Sequence, residues 1–501
     1  MSKSQIVKKN IVAAVILQLM TILNGFIVPR MILTNFGSEI NGLISSINQF
    51  LSFITLLEGG LGAVVLAGLY KPLQSNDDGR ISSVVKAASQ FYRKIALIFL
   101  VYVLVLSVGF SIKYRYEFGI AEVCALVWVI AANLFVQYYF SVVYKLLIQA
   151  DQKSFVVSYV QAITIALNTV VFVVLVRLSR NIVLVKASGA VIYLLQPILF
   201  SLYVKRHYRI DPSIEVDKDA LSQRWDGFWH NIAYFIHSNT DVVILTLFAS
   251  LKDVSVYTTY LLVINSLKTV VLLFSGAVGP TMGNTLARGV KEEIAYEFDF
   301  FEYGFFALTT FLFSAGVVLI VPFIGIYTRG VIDADYYQPT FAVVMFFAEA
   351  MFCLREPYVS VVNGAGHFRQ TKQYAIIEAV INIVVSIVFV RMLGLVGVAI
   401  GTLSAMLYRT VMLIFYSGKV ILKRSAVTGL KCIALSCLII AFVYFVSTRF
   451  LLFSVSTYPQ WILLAVVNSL FALITVIAVS MLIYRRQFIS LMKNIFHKSR
   501  D

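Results

Sequence analysis

WDGFWHNIAYFIHSNTDVVILTLFASLKDVSVYTTYLLVINSLK, residues Trp225–Lys268, holds two apolar segments of membrane-crossing length that meet at a short polar turn near Ser250–Asp253. The first segment carries His230, Tyr234, His237 and Asp241 at i, i+4, i+7 and i+11. A period of about 3.6 residues sets these four on one helix face. The second carries Asn265 and Lys268 near its middle. An ionisable group at mid-membrane costs about 2.5–3.5 kcal/mol on insertion scales, so it faces a partner or a wet cavity. The hairpin therefore reads as one wall of a polar cavity, and Lys268 as either the salt-bridge partner of Asp241 or a cationic contact for an anionic ligand.

Outward from that hairpin the chain stays apolar. Hydrophobic residues make up 60% and charged residues 13% of 501 positions, with a mean hydropathy of +0.87. A water-soluble fold of this size has too much surface to hide such a composition. The apolar runs are continuous and helix-length, matched to the ~30 Å hydrocarbon core, where a β-barrel would alternate residue by residue. The net charge of +16 is scattered through short loops, which argues against nucleic acid as a partner. Cys124, Cys353, Cys432 and Cys437 lie inside apolar runs without a CxxC spacing, so neither a disulfide framework nor a metal site is expected.

Apolar segments fall at about 10–33, 42–69, 93–112, 120–144, 155–176, 183–204, 227–249, 254–280, 300–321, 340–363, 373–391, 396–416, 430–448 and 459–484. This predicts an all-α polytopic membrane protein of about fourteen transmembrane helices. The basic start MSKSQIVKKN is followed by a run too long for a signal peptide, so it reads as an uncleaved first helix. Placing both termini inside puts 28 Lys and Arg in inner segments against about 10 in outer ones, and this asymmetry predicts cytoplasmic termini. NTVVFVVLVRL (Asn168–Leu178) and NIVVSIVFVRM (Asn382–Met392) share six of eleven positions, each in the fifth helix of a six-helix block. The repeat predicts two lobes related by an axis along the membrane normal, with substrate bound between them. The expected division is a lobe over 1–204, a charged linker over 205–225, a second lobe over 226–418, and two added helices with a basic tail over 419–501.

Other intramembrane polar residues extend the candidate site. Helix one offers Gln18, Thr21 and Asn24, then Arg30 after an expected kink at Pro29. Arg30 either snorkels to the outer interface or grips phosphate as a bidentate fork. Glu58 lies mid-membrane in LLEGGLGAVV and is either paired or a functional carboxylate. Asn133, Gln137, Ser141 and Lys145 recur at steps of four, which predicts one polar face on the fourth helix. Arg355 and Glu378 on neighbouring helices read as a structural pair or a coupling site, and Arg409 is placed near enough to the inner face to snorkel. No GxSxG, HExxH or P-loop pattern is present. The chain is thus read as a non-enzyme that needs no cofactor.

Three stretches, Asn35–Leu73, Asn239–Leu261 and Pro322–Val390, resemble Wzx-type flippases for lipid-linked polysaccharide units, in the multidrug/oligosaccharidyl-lipid/polysaccharide (MOP) exporter superfamily. The resemblance implies a V-shaped MATE-like bundle in the bacterial cytoplasmic membrane, with a central cavity open to either side in turn. Its implied substrate is an undecaprenyl-pyrophosphate-linked oligosaccharide for capsule, exopolysaccharide or envelope polymer, with other polysaccharide-assembly proteins as partners. Asp241 matches a family-typical acidic position, and Arg30 and Lys268 stand where the family lines its cavity with cations. Coupling to H+ or Na+ through His237, Asp241 or Glu58 is a further expectation. The competing readings are a multidrug cation antiporter of the same superfamily and a membrane-embedded polymerase or glycosyltransferase. The latter lacks its usual large outer loop or acidic motif here.

Overall fold

The computed structural model describes residues 3–58, 60–211, 213–214, 239–451 and 453–490. Every regular element among them is helical. That follows from composition: in hydrocarbon, a spanning segment must satisfy its backbone donors and acceptors internally. Contacts divide the chain into two compact units, Met1–Phe235 and Ile236–Asp501.

The first unit contains α1 (Lys3–Leu51), α2 (Ile54–Glu58), α3 (Leu61–Ser75), α4 (Asp78–Lys113), α5 (Ile120–Val136), α6 (Val142–Ala150), α7 (Ser154–Leu178), α8 (Ile182–Tyr193) and α9 (Leu195–His207). The break inside α1 falls at Gly37, with φ 85° and ψ 176°, and not at Pro29, whose dihedrals stay helical. Proline's fixed φ is compatible with a helix, whereas only glycine takes this positive φ cheaply. A π-helical turn, Gln137–Ser141, joins α5 to α6. Asn10 ties α1 to the start of α7: its Nδ2 donates to the Gln152 carbonyl at 2.8 Å and its Oδ1 accepts from the Phe155 amide at 2.7 Å.

Beyond α9 the chain folds back on its own unit. Tyr208 donates to Asp151 at 2.7 Å, the Asp211 amide donates to Ser82 Oγ at 3.0 Å, and Lys86 Nζ donates to the Ile214 carbonyl at 2.7 Å. The hydroxyl and amide of Ser213, both bonded to Asp211, hold that carboxyl below its usual range.

The second unit contains α10 (Asn239–Phe248), α11 (Leu251–Arg288), α12 (Lys291–Tyr327), α13 (Pro339–Leu354), α14 (Glu356–Gly364), α15 (Phe368–Leu393), α16 (Leu395–Tyr416), α17 (Ala426–Val446) and α18 (Tyr458–Ile483). A capping box at Ser250, reciprocated by Asp253, starts α11. The last two helices share a core with α12: Phe306 and Leu319 pack with Ile439, Val443, Leu464 and Val476. Helices α15 and α16 approach through Gly397 and Gly401. A Cβ on Gly401 would fall against the Ser386 hydroxyl, with the Ser386 amide only 2.8 Å away. Small residues at this spacing let membrane helices touch backbone to backbone.

Among the described residues, eleven helices are long and apolar enough to cross a membrane. Three of the fourteen expected segments account for the difference. The first half of the second runs on from the first as the helical stretch Ser4–Leu56, and its second half belongs to the separate helix α3. The tenth is divided at Arg355 into α13 and α14, and the seventh is described only over Asn239–Phe248.

Candidate functional site: an amide-lined cavity with one lysine

The first unit encloses a cavity of about 440 Å³ walled by α1, α2, α5, α7 and α8. Four asparagines line it, Asn24, Asn48, Asn133 and Asn168, with Ser52 and Thr55, and its one charged residue is Lys186. No Asp or Glu is among its lining residues. The volume is within the ordinary range for ligand pockets.

Local structure explains how these groups converge. Asn181 caps α8, its Oδ1 accepting from the Leu184 amide at 3.1 Å. That start places Lys186 a little over one turn inside the helix, with Nζ 5.3 Å from the centroid of Phe172. Lys186 makes no ion pair among the described residues. On the same wall Gly189 leaves space: a Cβ there would lie 2.7 Å from Asn168 Oδ1. The Asn168 amide has no hydrogen-bond partner among the described residues and borders the cavity. Asn24 accepts from Thr169 Oγ1 at 2.8 Å, and Asn133 Oδ1 accepts from Gln137 Nε2 at 2.9 Å. A cation and several amides in a low-dielectric recess suit an anionic, hydroxyl-bearing ligand, whose lost water contacts they replace.

Glu58 ends α2, just before Gly60 (φ 86°). Its two oxygens accept from Tyr92 at 2.8 Å and Tyr138 at 3.0 Å. It borders the break between α2 and α3 and does not line the asparagine cavity.

In the second unit Asp241 is buried and fully engaged. Its Oδ2 accepts from Tyr257 and Thr402, each at 2.7 Å, and its Oδ1 accepts from Asn382 at 3.2 Å. Lys268 does not pair with it. Lys268 reaches Glu349 at 2.9 Å and lies 3.8 Å from the centroid of Phe352, because α13 brings both beside α11. Arg355 contacts Glu378 at 2.6 Å, and Arg409 contacts the other Glu378 oxygen. Arg409 is thus held inside the unit by a fully buried carboxylate, not drawn toward the inner face as snorkelling required.

Of the other residues expected at the site, Arg30 is half-buried and does not line the cavity, while Gln18 and Asn265 are exposed. His230, Tyr234 and His237 lie outside the described residues. The polar face expected at Asn133, Gln137, Ser141 and Lys145 is split. A π turn advances by more than a normal turn, so Asn133 lines the asparagine cavity and Ser141 a separate groove. Sequence reasoning misses Lys186 and Asn48. Lys186 sits in IVLVKASGAV, four residues into an apolar run and followed by small residues. That pattern marks a cation pointing into a recess, but the charge count groups it with the outer loops.

No family model matches this sequence, and no curated protein matches it. Solved structures do match. A lipid II flippase, MurJ, in an inward closed conformation superposes with a TM-score of 0.65 at 14% identity, over 95% of this chain and 99% of that one. An inward-facing multidrug resistance MATE family transporter of the MOP superfamily gives 0.54 at 15%, over 80% and 95%. The eukaryotic MATE transporter AtDTX14 gives 0.52 at 14%, over 86% and 99%. Among the described residues every regular element is helical, and the chain is a multi-pass membrane protein with the fold of MOP-superfamily flippases and transporters.

Proposed function

We propose that this chain is a flippase that moves an undecaprenyl-pyrophosphate-linked oligosaccharide from the cytoplasmic to the outer leaflet of the bacterial cell membrane, as Wzx-type proteins do. The observation that carries the reading is the polarity of the first unit's cavity: four asparagines, two hydroxyl residues and one lysine, with no carboxylate on its walls. Sugars and pyrophosphate cannot enter hydrocarbon unaided, since each unpaired polar group costs several kcal/mol. Amides exchange hydrogen bonds with sugar hydroxyls, and Lys186 offsets phosphate charge. Such a site is polarised against a cationic drug, which disfavours the antiporter alternative. Alternating access requires two lobes that rock about a site open to each side in turn. Both termini are cytoplasmic in this proposal, Arg30 and Lys268 are secondary cations, and Glu58, Asp241 or His237 couples the motion to H+ or Na+.

The test is transbilayer movement of a fluorescent polyprenyl-pyrophosphate saccharide in proteoliposomes. Lys186→Gln removes a charge-assisted contact and is expected to slow flipping roughly tenfold to a hundredfold, and Asn168→Ala to slow it less. Unchanged flipping in Lys186→Gln, or export of cationic dyes by the native chain with no saccharide-lipid movement, would sink the reading.

A further inference from the structure

The first unit holds a second recess, of about 530 Å³, between α4, α9 and the π turn Gln137–Ser141. Two helix irregularities open it. Helix α8 stops at Tyr193 and α9 restarts at Leu195, where Pro197 supplies no amide hydrogen to the Tyr193 carbonyl. On the facing side the π turn projects Tyr139 and Phe140. The walls are mostly apolar, and Phe140, Ile198 and Leu202 are exposed. Arg93 and Lys205 border the recess, and neither makes an ion pair among the described residues. The Arg93 guanidinium lies 5.3 Å from the centroid of Tyr139.

The dimensions match one leaflet. Lys205 lies eleven residues beyond Leu194. At about 1.5 Å per residue they span roughly 16 Å, about half the ~30 Å hydrocarbon thickness. A groove that is apolar along a leaflet's depth, with Lys205 in the last turn of α9 and Arg93 on its border beside Tyr139, complements a molecule with an acyl chain and an anionic head. We propose that it binds an anionic phospholipid from the leaflet at the Lys205 end of α9, with the phosphate at Lys205, one chain along Ile198 and Leu202, and Arg93 adding positive charge on the border of the groove. This site is separate from the asparagine cavity and does not depend on what is transported.

The full-length chain, purified and exchanged into nanodiscs containing phosphatidylglycerol and phosphatidylcholine with identical chains, is released for native mass spectrometry and its retained lipid counted. Phosphatidylglycerol should be retained in preference, and Arg93→Gln with Lys205→Gln should weaken that preference by roughly tenfold or more. Ile198→Trp, which fills the groove and leaves both cations, should lower retention of either lipid, and it carries the test if the double variant aggregates. Equal retention of the two lipids, or native retention in Ile198→Trp, overturns the proposal. Loss of the bound lipid to millimolar inorganic phosphate, with Ile198→Trp silent, would likewise replace it with a free-phosphate site. Because the readout involves no transport step, its failure leaves the flippase proposal standing, and the converse holds.

Discussion

Asp241 and Glu58 are both carboxylates set in apolar stretches, and their surroundings differ. Asp241 is buried and accepts from three side chains on three helices, Tyr257, Asn382 and Thr402. It acts as a knot. Asp241→Asn turns an amide NH2 toward donors that need an acceptor, so it should destabilise the second unit by about 1–3 kcal/mol, the usual cost of an unmet buried polar group. Glu58 is half-buried, held by two tyrosines and set at the end of α2, just before Gly60. Glu58→Gln keeps both tyrosine contacts on its carbonyl oxygen or amide, so melting in detergent should change little. If the proposed flipping is coupled to a proton or sodium gradient through Glu58, that dependence should be lost in Glu58→Gln. Gradient-dependent flipping that persists in Glu58→Gln would move coupling elsewhere, and a native melting curve for Asp241→Asn would remove its structural role.

At the scale of elements, the close approach of α15 and α16 makes the sharpest claim. Gly401→Ala drives a methyl into Ser386 and should cost about 1–3 kcal/mol as overpacking, with Gly401→Leu failing to fold. Gly109→Ala, in α4 with nothing within 4 Å of its Cβ position, should be neutral or stabilising by up to about 1 kcal/mol. Unfolding in a denaturing-detergent titration separates the two. The apolar helices themselves were legible because a run of some twenty apolar residues has few alternatives in a bilayer. Their interruptions were not. Gly37 breaks α1 where Pro29 carried the louder signal, and nothing in FVQYYFS (Phe135–Ser141) announces a π turn. Partners were harder still. Lys268 is near Asp241 in sequence, yet its carboxylate is Glu349, supplied by a helix that begins only at Pro339. The asparagine repeat was visible, but not its outcome: Asn382 is bound to Asp241 and Thr402, whereas Asn168 faces an open cavity with Lys186.

Across the whole molecule, the excess of Lys and Arg in alternate connections predicts an orientation that can be measured. Twenty-eight such residues belong to the proposed inner segments and about ten to the outer ones, and the side that keeps the positive charge is the cytoplasm. The tail after α18 and the Asp151–Lys153 turn then share the inner side, while Tyr116 and Ile332, both strongly exposed, lie outside. In a background with Cys124, Cys353, Cys432 and Cys437 replaced, single cysteines at Tyr116 and Ile332 should react with a membrane-impermeant maleimide in intact cells. Cysteines at Gln152 and Arg486 should react only after the membrane is opened. The same measurement constrains the transport direction. With this orientation Lys186, in the run that follows an outer connection, lies in the outer half of the bilayer, so under the proposed flippase function the asparagine cavity would receive the saccharide late in its passage. Labelling with the opposite pattern would invert that order and make the cavity an entry site, and the charge asymmetry would then need a different cause.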